Sequence, residues 1–337
     1  MKSNKIILTI AIILVFGINS FAQVGLNKLA QSTMNFMLVS VSPKASAMGE
    51  AFYAVGNSSD AIFYNPAGIA NTNNTLDVSF NFTQWIADIN YLAGAAVYNM
   101  DSYGVLGVHV MTVDYGEIIG TTLIDPSQQS QYPDGYIETG PLSNVGAYSF
   151  GITYAKKISP QFSIGGNIRI AGQNLGENQF FDGTSRQNKA TKLVFDAGVL
   201  YNTGFKDFRF GMAIRNFSSQ IKREEIDEQM PIVFAMGTAI NLWKFIDESA
   251  DNQQLTLAAD FMHYNNYSER VNVGIDYTFM NLISLRAGYQ SNRDIASWSA
   301  GIGLQTEFAG NKIEVNYSYS YIKIFDNVNR LSVNFAL

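Results

Sequence analysis

Side chains able to do chemistry are few in this sequence and lie far apart. Cysteine is absent and there are two histidines, His109 and His263, so a thiol nucleophile, a disulfide framework and a cysteine-rich metal site are not available. His-x-x-x-His spacing, acidic calcium loops and phosphate-cradling glycine loops are also missing, so neither metal nor cofactor is expected. His263, with Asp260 nearby in sequence, is the one pairing that could join a base to an orienting carboxylate; the alternative is two ordinary polar residues of a lumen or surface. No serine or cysteine near either histidine completes a nucleophilic set, and an enzyme is not expected. A second group suggests different chemistry. Arg169, Asp196, Arg209, Arg215, Asp260, Asp276, Arg286 and Glu314, four of each sign, fall on the polar face of segments that alternate with period two. Such charges could pair mutually and hold another segment in place, or line a polar conduit or binding site. Their balance argues against a strongly ion-selective pore.

The elements that must position these charges repeat along the chain. From Leu76 to the C-terminus the sequence cycles through alternating runs of roughly ten residues, each followed by a turn. Fourteen runs begin near Leu76, Tyr91, Tyr103, Val145, Phe162, Thr191, Phe208, Ile232, Gln254, Arg270, Ile283, Ser297, Lys312 and Asn329. Val271, Val273, Ile275, Tyr277 and Phe279 share one face, against Asn272, Gly274, Asp276 and Thr278 on the other. Ile313, Val315, Tyr317, Tyr319 and Tyr321 oppose Glu314, Asn316, Ser318 and Ser320 in the same way. One face suits lipid and the other a wet or plugged lumen. Short turns alternate with longer connections at residues 119–144, 174–190 and 218–231, the last containing Lys222-Arg223-Glu224-Glu225. That rhythm fits an even-stranded barrel whose two ends lie on the periplasmic side. The long connection at 243–252 departs from it and leaves room for a miscounted strand. Leu331, Val333, Phe335 and Leu337 alternate to the last residue, as a strand read by barrel-assembly machinery would.

Composition points the same way. Charged residues make up 15%, against an ordinary ~25%, while 28 Gly, 18 Tyr and 23 Phe accompany 7 Pro. Beyond the N-terminus no run approaches the ~18 apolar residues of a helical span. A soluble sandwich or propeller of fourteen strands is the alternative, but it would expose large apolar patches. Residues 1–22 read as a signal peptide: Lys2 and Lys5, an apolar run from Ile6 to Phe16, then Ser20-Phe21-Ala22, with cleavage before Gln23. A membrane anchor is the rival, though the uncharged stretch is short for a ~30 Å core. The formal charge of −6 becomes −8 without Lys2 and Lys5, and no basic cluster appears, so nucleic acid is not an expected partner. The resulting expectation is an all-β transmembrane antiparallel barrel of about 14 strands in the outer membrane of a Gram-negative cell, with lipid around it. Trp85, Tyr98, Tyr115, Phe217 and Trp298 read as its interfacial aromatic girdle.

Residues 23–75 do not alternate. Ala45, Ala47, Met48, Gly49, Ala51, Ala54, Ala61, Ala67, Gly68 and Ala70 make the stretch rich in small residues, broken by Asn65-Pro66, where proline suits a first helical turn. Small residues suit confined space, which in a barrel is the lumen, so residues 40–71 are expected to form a plug; a disordered periplasmic tail is the alternative. The domain reading is thus signal peptide 1–22, N-terminal segment with lumen plug 23–75, and barrel 76–337. Glycines on the strands, Gly94, Gly165, Gly166, Gly211, Gly301 and Gly303, would admit plug backbone close to the wall or mark bulges.

These N-terminal residues also carry a resemblance. Asn35-Phe36-Met37-Leu38, Lys44-Ala45-Ser46-Ala47-Met48-Gly49-Glu50-Ala51-Phe52 and Phe63-Tyr64-Asn65-Pro66-Ala67-Gly68-Ile69-Ala70 resemble the N-terminal signature of the PorV/PorQ family, itself related to the FadL-like fatty-acid transporters. Ser46 stands where that pattern has Arg, and Glu50 where it has a second Gly. The resemblance implies a FadL-like, fourteen-stranded outer-membrane barrel of the Bacteroidota type serving the type IX secretion system. It marks Met48, Gly49, Ala51, Phe52, Asn65, Pro66, Ala67 and Gly68 as the plug or hatch motif. Implied protein partners are the C-terminal domains of secreted cargo, the translocon or the attachment complex. Tyr132, Tyr136, Phe180 and Phe181 place aromatics among polar loop residues and are the candidate partner-binding positions, with ordinary solvated loop as the bland reading. The rival function implied by the same kinship is a channel taking up a hydrophobic small molecule.

Overall fold

The computed structural model describes residues 32–179, 183–223, 226–248, 252–293 and 296–337. The expected signal peptide, Phe180, Phe181, Glu224 and Glu225 lie outside the described residues. Fourteen strands form a closed ring. They are β1 (Leu76–Gln84), β2 (Asn90–Asn99), β3 (Val105–Asp114), β4 (Gly146–Lys157), β5 (Phe162–Gln179), β6 (Ser185–Asn202) and β7 (Arg209–Phe217). The ring continues with β8 (Val233–Asn241), β9 (Gln253–Tyr264), β10 (Arg270–Phe279), β11 (Ile283–Gln290), β12 (Ala296–Phe308), β13 (Asn311–Ile322) and β14 (Val328–Ala336). Each pairs antiparallel with its sequence neighbours, and β14 closes on β1 in a register running from Asp77 opposite Ala336 to Gln84 opposite Asn329. Closure satisfies every edge, which an open sheet in lipid could not do.

Alternation sets the faces. Phe80, Leu92, Val110, Phe150, Ile168, Ile275 and Leu331 are exposed outward, whereas Ser79, Asn81, Thr153, Asn167, Asn272, Asn316 and Ser332 are buried inward. An outward arginine or lysine at mid-membrane would cost about 2–4 kcal/mol, which explains the apolar exterior. The connection at 243–252 holds a 3-10 turn, Leu242–Phe245, and no additional strand among its described residues. Residues 174–190, expected as a loop, are mostly strand: β5 and β6 keep pairing beyond the wall, from Asn174 opposite Lys189 to Gln179 opposite Ser185, across a bulge. A ribbon wetted on both faces needs no apolar side, so its sequence lacks the signature that marks the wall. Two further hairpins sit in connections: Ile119–Leu123 with Tyr136–Pro141, and Ile221–Arg223 with Ile226–Glu228.

Inside the ring lies the N-terminal segment. It makes 3-10 turns at Asn35–Leu38, Ser59–Phe63 and Pro66–Asn71 and one α-helical turn at Pro43–Ala47, with Pro43 and Pro66 at helix starts. Helices this short are unstable alone; packing holds them, with Ala45, Met48, Ala51, Ala67 and Ile69 fully buried. The wall answers small residues with glycine. A Cβ on Gly165 would come within 2.5 Å of the Ala67 nitrogen, and one on Gly288 would overlap the Met48 and Gly49 backbone. Gly94 and Gly166 meet no plug atom, so crowding is not their reason.

Candidate functional site

Contacts between plug and wall are built from buried polar groups that the strands present inward. Asp260 on β9 accepts from the backbone amides of Phe52 (2.7 Å) and Tyr53 (3.0 Å) through one carboxylate oxygen. Asp77 on β1 does the same for the Ser59 amide (3.0 Å) and hydroxyl (2.5 Å). Asn65 ties three parts together. Its amide donates to the carbonyls of Tyr53 (2.8 Å) and Val199 (3.0 Å), while its oxygen accepts from the Ala67 amide (3.1 Å) at the start of the following 3-10 turn. Gly68 abuts the Gly56 carbonyl, where a Cβ would not fit. Phe52 packs edge-on against Tyr64 at 5.3 Å.

The eight charges expected in the lumen all lie on the inner side. Arg169 pairs with Asp196 (3.1 Å) and also donates to Asn216. Asp276 holds Arg286 (2.9 Å), which reaches Asn316 (2.7 Å) and Glu314 (3.5 Å). Glu314 then takes Lys44 of the plug (2.8 Å), with Asp60 at 3.7 Å. Arg215 donates to the Tyr53 hydroxyl (3.0 Å) and the Met37 carbonyl (3.4 Å) and covers the Tyr64 ring. Arg209 makes no ion pair among the described residues. Lys44 and Asp60 carry no signal in the sequence, because plug residues have no alternation to orient them, whereas Asp77 is turned inward by the same alternation as Ser79 and Asn81. Burial alone would lower the Lys44 ammonium, but Glu314 and Asp60 more than offset this and hold it above its ordinary value.

At the end of the ring opposite Leu76 and Leu337 the lumen opens into a vestibule of about 800 Å³. Met34, Phe36, Leu38, Val39 and Glu50 form its floor; Trp85, Tyr91, Tyr115, Tyr267, Arg270 and Arg293 stand around it. At the rim the Thr33 amide donates to the Gln229 carbonyl (3.0 Å), a parallel bridge between plug and loop. Beneath, the void bounded by Leu38, Val39, Tyr53 and Tyr64 measures about 10 Å³, too little for more than one water. Glu50 adopts φ +65, a left-handed conformation costing a non-glycine residue about 1–2 kcal/mol. Both its oxygens lie 3.3 Å from Arg293 Nη2. Burial pushes its carboxyl up, and the guanidinia of Arg293 and Arg330 more than offset this, leaving it below its ordinary value.

Three expectations need correction. Asp260 and His263 do not form a pair: three residues apart on a strand, they point to opposite faces, and exposed His263 faces Glu269 (3.3 Å) instead. Trp85 and Tyr115 are not lipid-facing girdle residues. Trp85 lies under Arg330 (5.5 Å) and beside Tyr91 (6.5 Å), and Tyr115 accepts from Gln173 (2.7 Å), all on the vestibule side. Tyr98, Phe217 and Trp298 are exposed outward. Arg270 and Arg330 were overlooked although alternation orients them, since they share faces with Asn272 and with Ser332. Of the loop aromatics, Tyr136 is exposed and opens a strand of the first hairpin, and Tyr132 is half-buried in its turn.

Comparison with known proteins adds the following. A family model described as type IX secretion system membrane protein PorP/SprF matches residues 135–333. No curated protein matches in sequence. Among solved structures, the CymD monoaromatic hydrocarbon channel aligns with a TM-score of 0.54 at 10% identity, over 88% of this chain and 97% of its own. The Pseudomonas putida toluene transporter TodX gives 0.54 at 11%, over 86% and 95%. A Pseudomonas aeruginosa FadL homologue gives 0.51 at 13%, over 88% and 96%. At these identities the likeness is one of fold: a FadL-like barrel.

Proposed function

Because this chain belongs to the PorP/SprF family of type IX secretion system membrane proteins, we propose that it is a docking barrel of that system, binding other proteins through its extracellular loops and the vestibule above its plug. Its fold and family are those of outer-membrane secretion and transport barrels, not of enzymes. The partners are cargo C-terminal domains or components of the machinery, as the PorV/PorQ-like signature in residues 35–70 suggests. That signature lies outside the matched residues 135–333, so it is an independent argument for the same system.

The observation that carries this reading is the closed floor. A vestibule of about 800 Å³ ends on a void of about 10 Å³, above a plug fixed by Asp260, Asp77, Asn65 and the Lys44–Glu314 pair. Such a cup receives a partner and does not pass one. A second reading, uptake of a hydrophobic small molecule, draws on the apolar floor residues Met34, Phe36, Leu38 and Val39. Crosslinked affinity purification of the tagged protein from its native outer membrane, with mass spectrometry of proteins and lipids, separates the two. Recovery of secreted proteins with a shared C-terminal domain, or of translocon components, is expected; a stoichiometric apolar ligand without either would overturn docking.

A further inference from the structure

We infer that the vestibule is a carboxylate-binding site for the end of an extended peptide, with Arg270 as the anchoring guanidinium; this rests on the docking function proposed above. Arg270 begins β10 at the vestibule wall, and its guanidinium lies 4.7 Å from the Tyr264 ring and 4.8 Å from the Tyr267 ring, two rings that meet at right angles. This aromatic corner seats the guanidinium. It has no ion pair with any described carboxylate, and its Nε is buried without a hydrogen-bond partner. A guanidinium held in this way is suited to bidentate recognition of a carboxylate.

The vestibule already holds one such pair. Glu50, presented by the plug in a left-handed conformation, brings both oxygens to Arg293, which lines the same space as Arg270. Glu50 thus engages Arg293 from within the chain through Nη2, although the Arg293 Nε, like that of Arg270, is buried without a partner; of the two arginines, Arg270 is the one with no described carboxylate paired to it.

The body attached to that carboxylate is identified by what surrounds it. The void below the floor, about 10 Å³, admits no aliphatic tail, so an aliphatic acid anchored at Arg270 would have to lie along Met34, Phe36, Leu38 and Val39 inside the vestibule. Asn35, Gln173, Asn188 and Asn292 line the same space and are bonded within the chain; a primary amide, with two donors and two acceptor lone pairs, can bond a peptide backbone in addition to such a partner. The rim already holds one residue of chain in an isolated parallel bridge, Ser32 with Gln229, made by the Thr33 amide on the Gln229 carbonyl. A peptide end entering from outside, carboxylate first, meets all three conditions.

The full-length protein in lipid nanodiscs is incubated with an equimolar mixture of randomised hexapeptides, half free acids and half C-terminal amides, and retained species are identified by mass spectrometry; oleate is offered in a separate arm. Free acids should be enriched over amides, and Arg270→Gln should abolish the enrichment, a loss of roughly tenfold or more for a charge-assisted pair. Arg209→Gln, on an inward arginine that does not line the vestibule, should leave it intact. If Arg270→Gln does not fold, Tyr267→Ala removes one of the two ring contacts to Arg270, from a loop, and should weaken the enrichment. Equal retention of acids and amides, or retention of neither, overturns the inference, as does Arg270-dependent retention of oleate without peptide enrichment. Recovery of secretion partners from the native membrane despite such a result would leave docking standing and remove only the carboxylate site.

Discussion

Asp260 shows how one inward carboxylate can hold a plug that has little regular structure of its own. Its Oδ2 accepts two successive plug amides, and a buried donor left without its acceptor costs about 1–3 kcal/mol. Asp260→Ala should therefore destabilise plug packing by about 2–4 kcal/mol, with Asp260→Asn, which keeps an acceptor, losing less; urea titration followed by plug-specific proteolysis measures the difference. Glu50 makes a pH-dependent contribution. Its carboxyl sits below the ordinary value of 4.5, so the Arg293 pair stabilises the folded state above that pH and is lost as pH falls through the depressed value. Glu50→Gly suits the left-handed backbone and deletes the pair. The variant should resist proteolysis of the plug less than wild type at pH 7, and the gap should close below pH 4.5. Nothing in the sequence announced Glu50 as a latch, because its backbone conformation and its partner are both set by distant residues. Arg270 and Arg330 were legible, since alternation alone turns them inward.

Among the elements, strands were more legible than the plug they surround. Thirteen of the fourteen begin within two residues of the positions read from alternation, and β6 begins earlier, at Ser185. Lipid imposes one apolar face, and that constraint writes itself into sequence; the wetted β5–β6 ribbon escapes it and was taken for loop. Plug turns follow no period, so their existence was inferable from small residues but not their paths. Close approach of plug to wall gives a test at this scale. Gly288→Ala would set a Cβ into the Met48–Gly49 backbone, overpacking worth about 1–3 kcal/mol. The ring should still form, judged by heat-modifiable gel mobility, while the plug is displaced and ion conductance appears in planar bilayers where wild type is closed.

At the scale of the whole molecule, the chain enters the described structure at the vestibule rim, where Thr33 meets Gln229, descends through the lumen, and begins β1 at the opposite end, where Leu76 pairs with Leu337. A cup closed from within is the consequence, and its outward opening gives the protein-docking proposal its direction. We propose that residues 1–22 are a signal peptide; intact mass of the protein from native outer membrane should then correspond to a chain beginning at Gln23, and retention of Met1 would refute cleavage. By itself the sequence determined the ring, its strand count and its two faces, because the membrane demands period-two alternation and a closed ladder, and both are local patterns repeated along the chain. Tertiary structure alone decided which charges meet. Lys44 finds Glu314, Glu50 finds Arg293, and Tyr264 and Tyr267 close on Arg270, since partners of the plug are fixed by how an aperiodic segment packs against a wall far away in sequence.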